Sequence, residues 1–574
     1  MRNPRFLNWL AVAALLALAA ARASLPLTHD DLFGHLRTGE RIVETGRVPL
    51  TDPFSFTRPG TRWITHEWGF SLATWGLWRL GGELALLLTR VLLVLAIGWV
   101  VARRAQAEAE AEARSVPWQT ALLGLALWML AAELILRAAL VSELFLALLL
   151  LFLTRFRQTG GRGGLAAVAG LFLVWANLHS GVIFGLFVLG LWTLEALLAV
   201  PAARRWPAAA GLFRAGPARP YLILLGICVP LTLVNPNGWE VWLYPFKLSR
   251  ILFGSGIAWD LGHFEAAGPW SNTACLLLLG LLLAGALPLR RLLLLSATEI
   301  LGIATFLALS LRSPRFLFHF AILALPALYR LWAGRELTPL LRRAFAAGVV
   351  AVPALVAATL WLEHPRRLIA PLLPEGAVRF LEAQGIRERV FNHQNYGGFL
   401  AWRRREPIFW DGRNDVFVSL VQEVTTTPFP SVVERYGVEA LLLAEHDYPG
   451  ILPEIPERWG LVYWDDGSAV YLRRTPAHAA LLDRLELHHF PGFGGRPGLE
   501  QLARDPRLAP AARGELDRLL AAWPENQRAL YFRGLLSLYQ GHLDAARSDF
   551  RAALAIRDND QVAKALAVVE GIRR

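Results

Sequence analysis

Near its amino end the chain reads "HDDLFGHL", which brings Asp30, Asp31 and His35 close together in sequence. A carboxylate at a partly desolvated boundary gains proton affinity and can serve as a general base. If 28–45 is helical, Asp31 and His35 share one face at i and i+4. Further along, "THEWGF" adds His66 and Glu67. Asp31, His35, His66 and Glu67 are side chains of the kinds that hold magnesium or a first-row metal, so a divalent ion is compatible with this stretch. No compact H-x-x-x-H pattern gathers them, and the stretch does not require one. Simpler roles stand beside these. The two aspartates suit the first turn of a helix on electrostatic grounds alone, and His66-Glu67 next to Trp68 suits an interfacial anchor.

Such residues need elements to position them, and composition says where those elements lie. The chain has 574 residues, 55% of them hydrophobic and only 18% charged, with 22 Trp. A soluble protein of this size carries roughly 25% charged residues, so most of the chain belongs in lipid. Runs long enough for about 30 Å of hydrocarbon fall near 6–23, 84–102, 116–136, 138–154, 164–178, 181–200, 219–235, 272–288, 292–311, 316–333 and 344–362. The expected fold is therefore an α-helical polytopic membrane protein of about eleven transmembrane helices. The first run ends in "ARAS" and reads either as a span or as a cleaved leader; both leave the next segment outside the cytoplasm. The net charge of +12 comes from arginines between apolar runs, as the positive-inside rule asks. No basic-aromatic module for nucleic acid is visible, so no nucleic-acid partner is expected. Cys228 and Cys275 form no CxxC or metal pattern and read as buried hydrophobes.

With a cytoplasmic N-terminus, the arginine clusters at Arg103/Arg104, Arg155/Arg157, Arg204/Arg205, Arg290/Arg291 and Arg330/Arg335 fall on the cytoplasmic side. The opposite face then receives a first external loop (24–83), Arg137, "WANLHSG" with Asn177 and His179, "NPNGW", "LRSPR" with Arg312 and Arg315, and everything after about Glu363. Polar groups gathered on one membrane face suggest a site there. Beyond the membrane part (1–362), residues 363–485 alternate short apolar runs with turns and read as a small extracytoplasmic α/β domain. Its "DDG" turn lies between aromatic-rich strands. Asp411, Gly412 and Arg413 within it suit an internal ion-pair turn. Residues 499–574 are helical, with Gly534, Gly541, Ala546, Phe550 and Ala553 at tetratricopeptide offsets. One such repeat cannot bury its own face, so the tail should dock on the body or on a protein partner.

The pattern D-D-x-x-x-H-L-x-x-G…D-P-F-S-F-T…H-E-W, followed by "WANLHSG", "LVNPNGW", "VFNHQNYGGFLAW" and "FWDGRND", resembles bacterial membrane proteins of the glycosyltransferase C superfamily. That superfamily includes protein mannosyltransferases, lipid A aminoarabinose transferases and oligosaccharyltransferases. The resemblance implies an acidic residue of the first external loop at the active site, with Asp31 at the position of the family's acid and Asp30 beside it. It also implies a sugar taken from a polyprenyl-phosphate-linked donor at the outer face of the cytoplasmic membrane. His35 and Glu67 would then assist catalysis, while His66, Arg137, Asn177, His179, Arg312 and Arg315 would hold substrate. The arginines stand at outward helix ends, where a phosphate headgroup would lie. A noncatalytic scaffold for envelope or polysaccharide assembly, recruiting through the helical tail, is the alternative. A proton-coupled carrier would need ionisable groups at helix centres, for which Glu133, Glu143, Glu195 and Glu299 are the candidates.

Overall fold

The computed structural model describes residues 30–110, 135–161, 163–254, 269–287, 289–332, 373–444, 455–490 and 498–571. The expected spans at 6–23 and 344–362, and all but the end of 116–136, lie outside them, as does Glu133. The chain divides into two compact units. One contains Ile42–Val48 and Ile64–Leu360, the other Thr28–Arg41, Pro49–Trp63 and Trp361–Arg574. The stretch expected as a first external loop (24–83) divides between the units, its helix α1 (Asp30–Thr45) beginning in the second, and its last part is helix instead, since α2 already starts at Trp68.

The first unit is a helical body built from α2 (Trp68–Glu110), α3 (Ala138–Thr159), α4 (Gly163–Leu178), α5 (Val182–Arg205) and α6 (Ala218–Thr232). It continues through α7 (Glu240–Gly254), α8 (Pro269–Ala286), α9 (Ala297–Arg312) and α10 (Leu317–Trp332). Trp68–Glu108, Ala138–Thr159 and Val182–Arg205 are long and apolar enough to cross a membrane, and shorter apolar helices accompany them. Leu84, Leu88 and Leu92 on α2 and Leu222, Ile223 and Ile227 on α6 are exposed. Rows of exposed aliphatic side chains of this kind suit lipid rather than water. α2 is broken at Gly81 and Gly82, the latter at φ 57° and ψ −142°, a conformation that glycine reaches without a Cβ penalty.

Four charged groups inside this body pair with one another. Arg104 lies 3.2 Å from Glu108 and 3.4 Å from Glu299; Arg330 lies 2.9 Å from Glu108 and also bonds Glu299. Two cations and two anions thus cancel across α2, α9 and α10. Glu299 closes a capping box with Ser296 at the start of α9. Glu195 of α5 accepts the Thr298 N–H at 2.8 Å and the Arg214 N–H at 2.7 Å. These two carboxylates satisfy helix ends and cations, so their burial has a structural cause.

In the second unit a four-stranded sheet runs in the order β1-β2-β4-β3. β1 (Val390–Asn392) is parallel to β2 (Ala440–Ala444); β4 (Ser468–Arg473) is antiparallel to β2 and to β3 (Trp459–Trp464). The expected hairpin is present: β3 and β4 are joined by Asp465-Asp466-Gly467, with Asp465 accepting from Gly467 N–H and Ser468 N–H. Around the sheet lie α11 (Glu375–Ala383), α12 (Gly397–Arg403), α13 (Asn414–Thr426), α14 (Phe429–Tyr436) and α15 (Ala479–Leu485). The tail forms α16 (Leu499–Arg504), α17 (Leu508–Ala522), α18 (Gln527–Tyr539), α19 (Leu543–Ile556) and α20 (Asp560–Gly571). A Cβ on Gly534 would lie 2.5 Å from the Phe550 ring, so α18 and α19 meet through a residue with no side chain. The tail rests on the hairpin: Asp466 accepts the Gln527 and Arg528 N–H groups at the start of α18, and the Asn526 amide donates to the Trp464 carbonyl.

Candidate functional site

In the first unit three motifs meet. His66 and Glu67 immediately precede α2, whose first turn is anchored by the Glu67 carbonyl accepting the Ser71 N–H at 2.9 Å. The Trp68 indole donates to Asn177 Oδ1 at 3.0 Å. Asn177 at the end of α4 donates onward to the Leu173 and Val234 carbonyls. Asn235 donates to the Ala176 carbonyl at 2.7 Å and accepts the Asn237 N–H at 2.8 Å, so it both shapes its own turn and clamps the end of α4. A Cβ on Gly69 would lie 2.6 Å from the Asn177 carbonyl oxygen. "HEWG", "WANLHSG" and "NPNGW" therefore meet, with Gly69 where the backbones touch.

Two imidazoles flank one carboxylate here. Glu67 Oε1 is 3.4 Å from His66 Nε2 and 3.4 Å from His179 Nε2. His66 Nδ1 is 3.1 Å from the Ile64 carbonyl. A carbonyl can only accept, so this nitrogen carries the proton. The His66 ring lies on Tyr244 of α7, with centroids 3.9 Å apart. His179 Nδ1 instead accepts, from the Gly181 N–H at 3.0 Å, and lies 2.6 Å from Ser142 Oγ. His66, Glu67, Asn177 and His179 are thus brought together with Trp175, the first residue of "WANLHSG", whereas Ser142, inside an apolar run, and Tyr244, between two of them, were not singled out in the sequence. His319 was also missed. Its ring is 6% exposed and lies among Phe184, Phe306 and Phe316. Arg137 is the N-cap residue of α3, Arg312 ends α9 and Arg315 lies in the turn before α10.

In the second unit Asp30 opens α1 and Asp31 stands in its first turn; the Asp30 side chain lies outside the described residues. Leu32 and Leu36 bury the adjoining face of this turn at 3% and 0% exposure, and Asp31 and His35 are half-buried. α1 approaches α12 closely: a Cβ on Gly34 would reach the Gly398 Cα at 4.0 Å, and Phe33 meets Phe399 edge-on at 5.0 Å. A Cβ on Gly412 would lie 3.1 Å from Asp31 Oδ1. The "DGRND" loop therefore presses its glycine against the candidate base.

That loop is held from several sides. Asn392 donates to the Trp410 carbonyl and accepts the Phe409 N–H, and Gln394 donates to the Asp411 carbonyl. A Cβ on Gly397 would meet the Trp410 carbonyl at 2.1 Å. Arg413 donates to Asp411 at 2.8 Å and to Asp52 at 2.7 Å, with its guanidinium 4.7 Å from the Trp63 ring centre. Burial alone would lower the proton affinity of Arg413, but the two carboxylates outweigh it and raise it. The expected ion-pair turn is thus present, and it extends to the "DPFSFT" stretch. Ile408 and Ser55 form a bridge, and Arg58 reaches Glu423 at 3.0 Å and the Tyr436 hydroxyl at 2.7 Å.

Among the described residues no group of three or more His, Cys, Asp or Glu side chains is arranged to hold a metal ion. Asp31 and His35 belong to one unit, His66 and Glu67 to the other.

No protein-family model matches the chain, and no curated protein matches it. Among solved structures it is similar to the Archaeoglobus fulgidus oligosaccharyltransferase in the apo form, with TM-score 0.46 and 11% identity over 81% of this chain and 74% of that one. It is similar to ArnT from Cupriavidus metallidurans bound to undecaprenyl phosphate, with TM-score 0.45 and 15% identity over 80% and 97% of the two chains. Another likeness is to AglB from Archaeoglobus fulgidus in complex with an inhibitory peptide and a dolichol-phosphate, with TM-score 0.44 and 12% identity over 78% and 72%.

Proposed function

We propose that the chain is a membrane glycosyltransferase that moves a sugar from a polyprenyl-phosphate-linked donor to an acceptor at the outer face of a bacterial cytoplasmic membrane. In this reading the membrane part crosses the bilayer about eleven times, the N-terminus is cytoplasmic and the α/β domain extracytoplasmic. The observation that carries it is the position of Asp31, in the first turn of α1 with its carboxylate against Gly412 of the "DGRND" loop. Of the motifs that carry the resemblance, "NYGGF" and "DGRND" lie against this turn of α1.

Chemically, Asp31 accepts the proton of the acceptor's hydroxyl or amide as that group attacks the sugar's anomeric carbon. The bond from this carbon to the phosphate oxygen breaks, and the electron pair leaves with the polyprenyl phosphate. Arg137, Arg312 and Arg315 are assigned to the growing phosphate charge. Asp30 and His35 are assigned to support the base, and His66, Glu67, Asn177 and His179 to substrate. The helical tail remains a candidate surface for a protein partner.

Purified protein in lipid nanodiscs should be incubated with polyprenyl-phosphate sugars and membrane acceptors, alongside Asp31→Asn. Transfer should fall by about 100-fold or more in the variant, within the range that removal of a general base produces, with thermal stability unchanged. Equal transfer by both proteins would remove Asp31 from the mechanism. A wild-type chain inert toward every donor would favour the scaffold.

A further inference from the structure

We infer that Ser142, held by Trp175, is a positioning residue that sets the tautomer of His179 and thereby presents an N–H to Glu67. This rests on the reading above only in assigning Glu67 and His179 to the site.

The argument follows the hydrogens. The Trp175 indole can only donate, and it donates to Ser142 Oγ at 2.6 Å. Ser142 Oγ, already accepting, turns its own hydrogen toward His179 Nδ1, also at 2.6 Å. The Gly181 N–H converges on the same nitrogen at 3.0 Å. Two donors aimed at Nδ1 require a lone pair there, so the ring proton of neutral His179 sits on Nε2. Nε2 is the atom 3.4 Å from Glu67 Oε1, a distance at which the contact is electrostatic rather than a short hydrogen bond.

Ser142, His179 and Glu67 occur in the order of a nucleophile, base and acid, but the serine is unsuited to attack. It is 0% exposed, and the Trp175 N–H occupies its oxygen. Burial and a fixed donor make it a hydroxyl that orients its neighbour. The chain spends two glycines on this arrangement. A Cβ on Gly181 would fall 2.6 Å from Ser142 Oγ and 2.7 Å from His179 Nδ1, and one on Gly185 would fall 2.5 Å from the Trp175 ring. His66 carries a proton on Nδ1 toward the Ile64 carbonyl, and its Nε2 faces the same Glu67 carboxylate at 3.4 Å.

The test is nitrogen-15 magnetic resonance of full-length protein in nanodiscs with labelled histidine, the His179 signals being assigned by their loss in His179→Gln. The expected wild-type spectrum has unprotonated Nδ1 and protonated Nε2. Ser142→Ala should shift Nδ1 and introduce the other tautomer, Trp175→Phe should do so more weakly, and Ser142→Thr should restore the wild-type pattern. A wild-type His179 protonated on Nδ1, or ring signals that do not move in Ser142→Ala, would overturn the inference. Because the spectrum needs no turnover, an inactive wild-type protein would count against the glycosyltransferase reading while leaving this result standing.

Discussion

Gly412 shows how narrowly one atom can be accommodated. Its missing Cβ would stand 3.1 Å from Asp31 Oδ1, so Gly412→Ala should push the carboxylate aside by a few tenths of an ångström. If Asp31 is the base, transfer should fall by about tenfold or more, because small misplacements of reacting groups carry large rate penalties. The thermal midpoint should move little, since the displaced group is half-buried. Transfer measured beside that midpoint separates the two; an unchanged rate would show that the loop does not position the carboxylate. At Glu423, burial alone would raise the proton affinity of the carboxyl, but bonds from Tyr436, Arg58 and Arg435 outweigh it and hold the group below the ordinary glutamate range. A lowered folded-state value means that its contribution is full above about 4.3, the unfolded value, and is lost as pH falls through the folded one. Acidification should therefore loosen the "DPFSFT" stretch from α13. The thermal midpoint of wild type should fall more steeply below that pH than that of Glu423→Gln.

Among the elements, α2, α9 and α10 are tied by four charges. Removing one partner leaves an excess buried charge, which typically costs about 3 kcal/mol or more. Glu299→Gln also weakens the capping box with Ser296. It should lower the thermal midpoint in detergent far more than Arg204→Gln, whose side chain is exposed and whose effect should stay within about 0.5 kcal/mol. Similar shifts in the two variants would mean that the pairs are relaxed in the folded protein. Most of the described helices of the body were readable as apolar runs, because lipid demands unbroken backbone pairing; α7 and the first turns of α2 were not, since both fall outside the expected runs. The break at Gly81-Gly82 was not anticipated, although two adjacent glycines are a signal for one. The "DDG" hairpin was legible for a local reason: its turn is built from backbone bonds within a few residues.

At the level of the whole molecule, the arginines decide the expected orientation and labelling can check it. Cys228 and Cys275 are buried, so single cysteines introduced at exposed positions should report alone. Reagent confined to the outside should modify Pro59→Cys and Asp560→Cys but not Ala203→Cys in intact cells. Modification of Ala203→Cys alone would reverse the topology. The helical tail, expected to need something to lean on, rests on the β3–β4 hairpin, with Asp466 accepting from the first amides of α18.

By itself the sequence determined the helical body, the small α/β domain, the ion-pair turn at Asp411–Arg413 and the residue types suited to proton transfer. Each of these depends on hydrophobic period, charge bias or contacts a few residues long. Only the tertiary structure decided that Asp52 closes on Arg413, that Gly412 abuts Asp31, and that Glu67 lies within 3.4 Å of two imidazoles. These contacts join residues up to hundreds of positions apart, and hydrogen-bond direction exists only once both partners are in place. Composition cannot carry that information; packing can.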